Sequence, residues 1–126
     1  MIWIVSANEK GFLQHSLVER FSQLNLEVHS FKADVKQLSA EFSVPDSIVI
    51  TADEEILGKP DALIYIRDLA VREGIPIFTM GDKDPMDMIL RSFDSIYIKA
   101  CFHRPVDVKE VAKTVDAYLA FAGRQV

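Results

Sequence analysis

Short, wholly apolar runs alternate along this chain with stretches whose apolar residues recur every three or four positions. Ile2, Trp3, Ile4 and Val5 read as a first strand, which stops at Ser6-Ala7-Asn8. Asn8 is placed to cap a helix carrying Phe12, Leu13, Leu17, Val18, Phe21 and Leu24 on one face. Leu26 to Phe31 predicts a second strand, and Asp34 with Gln37 three residues on opens a short second helix through Val35, Leu38 and Phe42. A third strand, Ser47 to Ile50, leaves through Thr51 into the polar segment Ala52-Asp53-Glu54-Glu55. Pro60 suits the first turn of a third helix with the apolar face Leu63, Ile64, Ile66, Leu69 and Ala70, and Gly74 suits a left-handed end. Ile75 to Met80 predicts the fourth strand, with Pro76 tolerable only near its start, and the run breaks at Gly81-Asp82-Lys83. Asp84-Pro85 starts a fourth helix bearing Met86, Ile89, Leu90 and Phe93, and Ile96 to Phe102 reads as a fifth strand. Asp107 with Glu110 forms a capping box for a last helix, whose apolar stripe runs from Val108 through Val111, Ala112, Val115, Tyr118 and Leu119 to Ala122.

Five strands alternating with five helices predict one α/β domain over residues 1–126. Parallel strands need crossover connections, and these place helices over both faces of the sheet. In such sheets functional groups gather beyond the carboxyl ends of the strands. Here those ends are Ser6 to Glu9, Thr51 to Glu55, Gly81 to Asp84 and His103 to Pro105.

Composition narrows the function classes. A net charge of -5, with fourteen Lys and Arg scattered rather than striped, argues against a surface for nucleic-acid phosphates. The single cysteine, Cys101, excludes an internal disulfide and a Cys-rich zinc site. No apolar run approaches the roughly 20 residues of a membrane span. The opening "MIWIVSANEKGF" lacks a signal peptide's basic and long apolar regions, so the chain is expected to be cytoplasmic.

The pieces resemble the receiver domain of two-component response regulators. "IWIVSANE" is similar to its first strand and acidic end, "VPDSIVIT" to its third strand, "IPIFTMGD" to its fourth, and "CFHRPVDVKEVAKTV" to the turn from fifth strand to last helix. Thr51 and Gly81 lie 30 residues apart, and Gly81 and Arg104 lie 23 apart, close to the family's spacing. The resemblance implies a flavodoxin-like, CheY-like, doubly wound five-stranded parallel sheet with strand order 2-1-3-4-5. It also implies a role in signal transduction and a degenerate phosphorylation pocket. Where the family holds Mg²⁺ with an acidic pair, this chain has Ser6 and Ala7, and Thr51 stands for the phosphoryl-accepting Asp. Gly81 replaces the hydroxyl-bearing switch residue, Arg104 the lysine that pairs with the phosphoryl group and Cys101 the aromatic switch residue, while Pro105 follows the pattern.

Phosphoryl transfer rests mostly on positioning and charge neutralisation, so a chain lacking the carboxylate cage for Mg²⁺ lacks most of the catalyst. The Thr51 hydroxyl would also need a positioned base. Thr51 is therefore expected to satisfy the strand end by hydrogen bonding. No enzymatic activity, cofactor or metal is expected, and the pocket marks a pseudo-receiver that works as a protein interaction module.

Other candidates are weaker. Glu9, Asp53 and Asp82, with Asn8, Glu54 and Asp84, could form an acidic, cation-binding cluster, the basis of an alternative reading as a small ligand- or metal-binding domain. The blander expectation makes Asn8 and Asp84 helix caps and the others solvated charges. No Gly-rich phosphate loop supports the alternative. Cys101 and His103 share one side of a strand, but a lone strand cysteine is usually a small core residue. His15 and His29 fall in a helix and an edge strand, with structural roles expected. Arg104, with His103 and Lys99 nearby, could bind an anion, but an internal ion pair with Asp53 or Asp82 is the simpler expectation. The fourth helix, fifth strand and fifth helix could support a homodimer, with Met88, Tyr97 or Tyr118 near the contact and Phe121 exposed off the apolar stripe.

Overall fold

The computed structural model describes residues 1–8, 11–41, 43–93 and 97–124. Its elements in order are β1 (Ile2–Ser6), α1 (Phe12–Gln23), β2 (Val28–Lys32), α2 (Val35–Ser39), β3 (Ser47–Ala52), α3 (Glu54–Leu57), α4 (Pro60–Glu73), β4 (Ile77–Gly81), α5 (Lys83–Ser92), β5 (Ile98–His103) and α6 (Val108–Arg124). All strand pairs are parallel and the sheet order is β2-β1-β3-β4-β5, as the sequence implied.

The wholly apolar strands are explained by burial on both faces. Trp3, Val5, Ile48, Ile50 and Ile77 point to one face, where Leu38, Ile66 and Ile89 of α2, α4 and α5 cover them. Ile2, Ile4, Val49, Phe78 and Met80 point to the other, under Leu17 and Phe21 of α1 and Val111 and Val115 of α6. Each such fully buried side chain contributes about 1.5–3 kcal/mol of transfer free energy, so this two-faced core dominates the stability. β1, β3 and β4 are central strands with every residue buried, whereas β2 and β5 at the edges are only partly so.

Local signals account for most helix ends. Pro60 occupies the first turn of α4, and Gly74 ends it at φ 67. Asp34 accepts a hydrogen bond from the Lys36 N–H, while Gln37 accepts one from the Lys32 N–H. Asp107 accepts from the Lys109 N–H at the start of α6.

Several boundaries differ from the sequence pattern. Asn8 does not cap α1: Gly11 does, and Gln14, three residues on, accepts the Gly11 N–H at 3.2 Å. The second strand begins at Val28 because the chain is still turning at Leu26, with Asn25 left-handed at φ 60 and the Leu26 N–H bound to the Phe21 carbonyl. Segment 54–57, expected as loop, is helical, making six helices among the described residues, because Asp53 accepts the Ile56 N–H at 2.9 Å. The helix expected to be the fourth is thus α5 and the last is α6. Asp84 lies inside the first turn of α5, with Asp82 at the cap position. β4 starts at Ile77, and β5 runs on to His103 with a register shift between Ile77 and Phe78, which face Ile98 and Ala100. Glu9, Phe42 and Ile96, each singled out above, lie outside the described residues. Among the described residues no helix is long and apolar enough to cross a membrane.

Candidate functional site

The sheet places the ends of β1 and β3 side by side, with β4 beyond β3, so Ser6, Thr51, Gly81 and Arg104 gather at one edge. At the end of β1, Ser6 is 1% exposed. Its hydroxyl donates to the Asn8 carbonyl at 3.0 Å and accepts from the Gln14 amide, itself buried. Ala7 points to the opposite face and packs into the core under α2 and α4. A neutral lock of Ser6, Gln14 and Gly11 thus stands at the β1 end, and it supplies no carboxylate.

Thr51 is 6% exposed, and among the described residues its hydroxyl has no hydrogen-bond partner. The expectation that it satisfies the strand end is overturned. The reason is that the ladder continues past it: Thr51 pairs with Met80, Ala52 with Gly81, and the Asp82 N–H donates to the Ala52 carbonyl at 2.9 Å. The backbone groups that the ladder joins are thereby paired with one another and not with the hydroxyl.

Gly81 sits at φ 135, a conformation that side chains rarely adopt. A Cβ built there would lie 2.3 Å from the Ala52 oxygen. The Arg104 N–H donates to the Gly81 carbonyl at 3.0 Å, and the following Arg104–Pro105 peptide is cis. The Arg104 guanidinium pairs with Asp82 at 2.8 Å, as anticipated, but the pair is surface-lying: the side chains are 52% and 48% exposed. Asp53 is not its partner because it caps α3.

Ser6, Gln14, Thr51, Asp53, Arg104 and Pro105 line a cleft of about 450 Å³, with Phe12, 86% exposed, at its side. Asp82 lines a different depression with Glu54, Lys83 and Asp84. Asp53 and Asp82, which the sequence left as a possible acidic cluster, line different depressions, and among the described residues no three His, Cys, Asp or Glu side chains group to hold a metal. Cys101 is half-buried against the core face covered by α2, α4 and α5, and His103 is exposed. His15 is exposed on α1, while His29 contacts Glu27 at 3.1 Å and stacks beside Phe31. Lys99 lies over the Tyr118 ring at 5.9 Å. Met88 and Phe121 are exposed, at 51% and 62%. Tyr118, offered as a contact residue, is half-buried and packs edge-on against Phe78 at 5.8 Å.

Gln14 and Asp53 are the residues that sequence reasoning missed in these roles. Both carried a signal: Gln14 stands at the third position of its helix, and Asp53 precedes two acidic residues suited to a helix start.

No family model matches the chain, and no curated protein matches it. Solved structures do. A streptococcal protein, from a family described as redox sensors evolved from two-component response regulators, superposes with a TM-score of 0.72 at 13% identity, covering 100% of this chain and 56% of that one. This chain thus spans little more than half of that protein's length. A response regulator receiver protein from Pseudoalteromonas atlantica gives a TM-score of 0.67 at 16% identity over 96% of this chain and 98% of that one. A CheY-like receiver domain protein from Methanospirillum hungatei JF-1 gives 0.68 at 10% identity over 100% and 99%. The fold is that of response-regulator receiver domains, a CheY-like five-stranded parallel sheet.

Proposed function

We infer that this chain is a receiver-like signalling domain that acts by binding protein partners, without accepting a phosphoryl group on an aspartate. One observation carries the reading: the edge where a receiver would hold Mg²⁺ presents Ser6 locked to Gln14, Ala7 turned into the core, and the neutral Thr51. Aspartyl phosphorylation depends on carboxylates that hold the cation and attack phosphorus. Neither a cage nor an ionised acceptor stands at these three positions. Arg104 and Asp82 neutralise one another, so the cation that would otherwise meet a phosphoryl group is already paired.

The partner-binding surface is then set by the resting fold. Exposed Met88 on α5 and Phe121 on α6 favour the α5, β5 and α6 side, which also suits a homodimer. A metal- or ligand-binding reading through the acidic loops is disfavoured, since Asp53 caps a helix and Asp82 is paired.

The test is affinity capture from native extract with the domain as bait, before and after treatment with acetyl phosphate and Mg²⁺. The expected result is one specific protein partner, retained equally in both samples and displaced by excess free domain. A partner retained only after treatment, or no protein competed by free domain, would overturn the reading.

A further inference from the structure

A second, largely apolar hollow lies away from the cleft at the strand ends. α3 packs on α5, and between them and α4 lies a cavity of about 320 Å³. Leu63, Ile89 and Phe93 form its buried floor, Leu57 and Pro60 one wall. Of the described residues, six large apolar side chains are strongly exposed, and two of them, Ile64 and Met88, at 45% and 51%, line this one cavity. Surface hydrophobes scattered singly need no explanation, but two flanking a shared apolar hollow do.

The polar groups are as informative. Ser92 is occupied, its hydroxyl donating to the Met88 carbonyl at 3.0 Å. Arg67 lines the cavity with its side chain 41% exposed, and among the described residues it makes long contacts of 3.4 and 3.5 Å to the neighbouring Asp68, which is not part of the lining. Among the described residues Arg67 is the charged group of the lining.

We propose that this cavity binds a compact amphipathic anion, an aromatic or branched aliphatic carboxylate, whose apolar body sits on Ile89 and Phe93 while its carboxylate meets Arg67. Ligand cavities are mostly apolar with a few orienting polar groups and span about 300–1,000 Å³, so this one takes a one-ring or fused-ring molecule and no nucleotide. An arginine fork matches a carboxylate geometrically. Because Ile89 and Met88 belong to α5, occupancy would set the position of a helix on the proposed partner-binding side. The site is separate from the phosphorylation pocket, and its existence does not depend on the partner-binding reading.

The test uses the whole chain, ¹⁵N-labelled, titrated with indole-3-acetate and with its uncharged analogue indole-3-acetamide. Saturable shifts are expected at Leu57, Ile64, Arg67, Met88 and Phe93 with both. Arg67→Gln should weaken the acetate about fivefold, the range of a half-exposed charge contact, and leave the acetamide within about twofold. Ile64→Trp and, independently, Met88→Trp should abolish both by filling the mouth; both positions are half-exposed, and retained spectral dispersion checks folding. Absence of saturable shifts at these residues, equal effects of Arg67→Gln on the two probes, or full binding by both tryptophan variants would overturn the proposal.

Discussion

Restoring a hydroxyl at position 81 is expected to cost the protein much of its stability, and the structure allows the cost to be worked out. Gly81 has φ 135, and a Cβ there meets the Ala52 oxygen at 2.3 Å and its carbon and nitrogen at 3.1 and 3.2 Å. A residue forced into such a glycine-type conformation costs about 1–3 kcal/mol. Moving the end of β4 away from β3 to relieve the overlap costs about 1–3 kcal/mol more, since the obstruction is backbone that cannot swing aside. That movement also stretches the Asp82 to Ala52 hydrogen bond of 2.9 Å. One backbone shift relieves part of both penalties, so the total is about 4 kcal/mol, a large share of the 5–15 kcal/mol typical of a domain. At this chain length about 4 °C is lost per kcal/mol, a fall in Tm of about 15 °C. Circular-dichroism melts of Gly81→Ala and Gly81→Thr measure it. Since the Cβ is the cause, alanine alone should produce most of the loss. A melt of Gly81→Ala within about 3 °C of the native protein would refute the reasoning.

Further expectations concern the same edge and the α6 surface. Thr51→Val keeps the shape and removes an unpartnered buried hydroxyl, so stability in urea should hold or rise by up to about 1 kcal/mol; a loss of more than that would show the hydroxyl to be bonded. Gln14→Ala breaks the lock, removing the amide that donates to the buried Ser6 hydroxyl and the acceptor of the Gly11 N–H, and should cost about 2 kcal/mol by urea denaturation, with amide shifts at Ser6 and Gly11; an unchanged midpoint would refute the lock. Phe121→Glu should abolish concentration-dependent self-association in sedimentation without changing the melt, and Tyr118→Glu should lower the melt instead, since that ring packs on Phe78. A native protein that sediments as a monomer at high concentration would count against the dimer.

What the sequence showed follows from which forces are local. The two-faced core was legible because Ile2–Val5 and Ile48–Ile50 are continuously apolar and only Thr79 interrupts Ile77–Met80, as buried parallel strands require, whereas the strand order came from the resemblance to receiver domains. Pro60 and Gly74 marked their helix because their backbone preferences are intrinsic. The misplaced Asn8 and Asp84 caps arose where several polar residues in a row could each cap, and the choice is made by tertiary packing. The state of Thr51 was not legible at all: whether a hydroxyl finds a partner depends on how far the neighbouring ladder extends, and this ladder runs to Gly81. The Arg104 and Asp82 pair was legible in identity but not in depth, since exposure depends on the loops around it.

The central claim, that the pocket edge does not take up a phosphoryl group, is tested most directly by intact-mass spectrometry after incubation with acetyl phosphate and Mg²⁺, paired with ¹⁵N spectra in beryllofluoride and Mg²⁺. The account expects an unchanged mass and no saturable shifts at Ser6, Thr51, Gly81 or Arg104. Stable addition of one phosphoryl group at Thr51 or Asp53, or saturable beryllofluoride shifts centred on those residues, would contradict it.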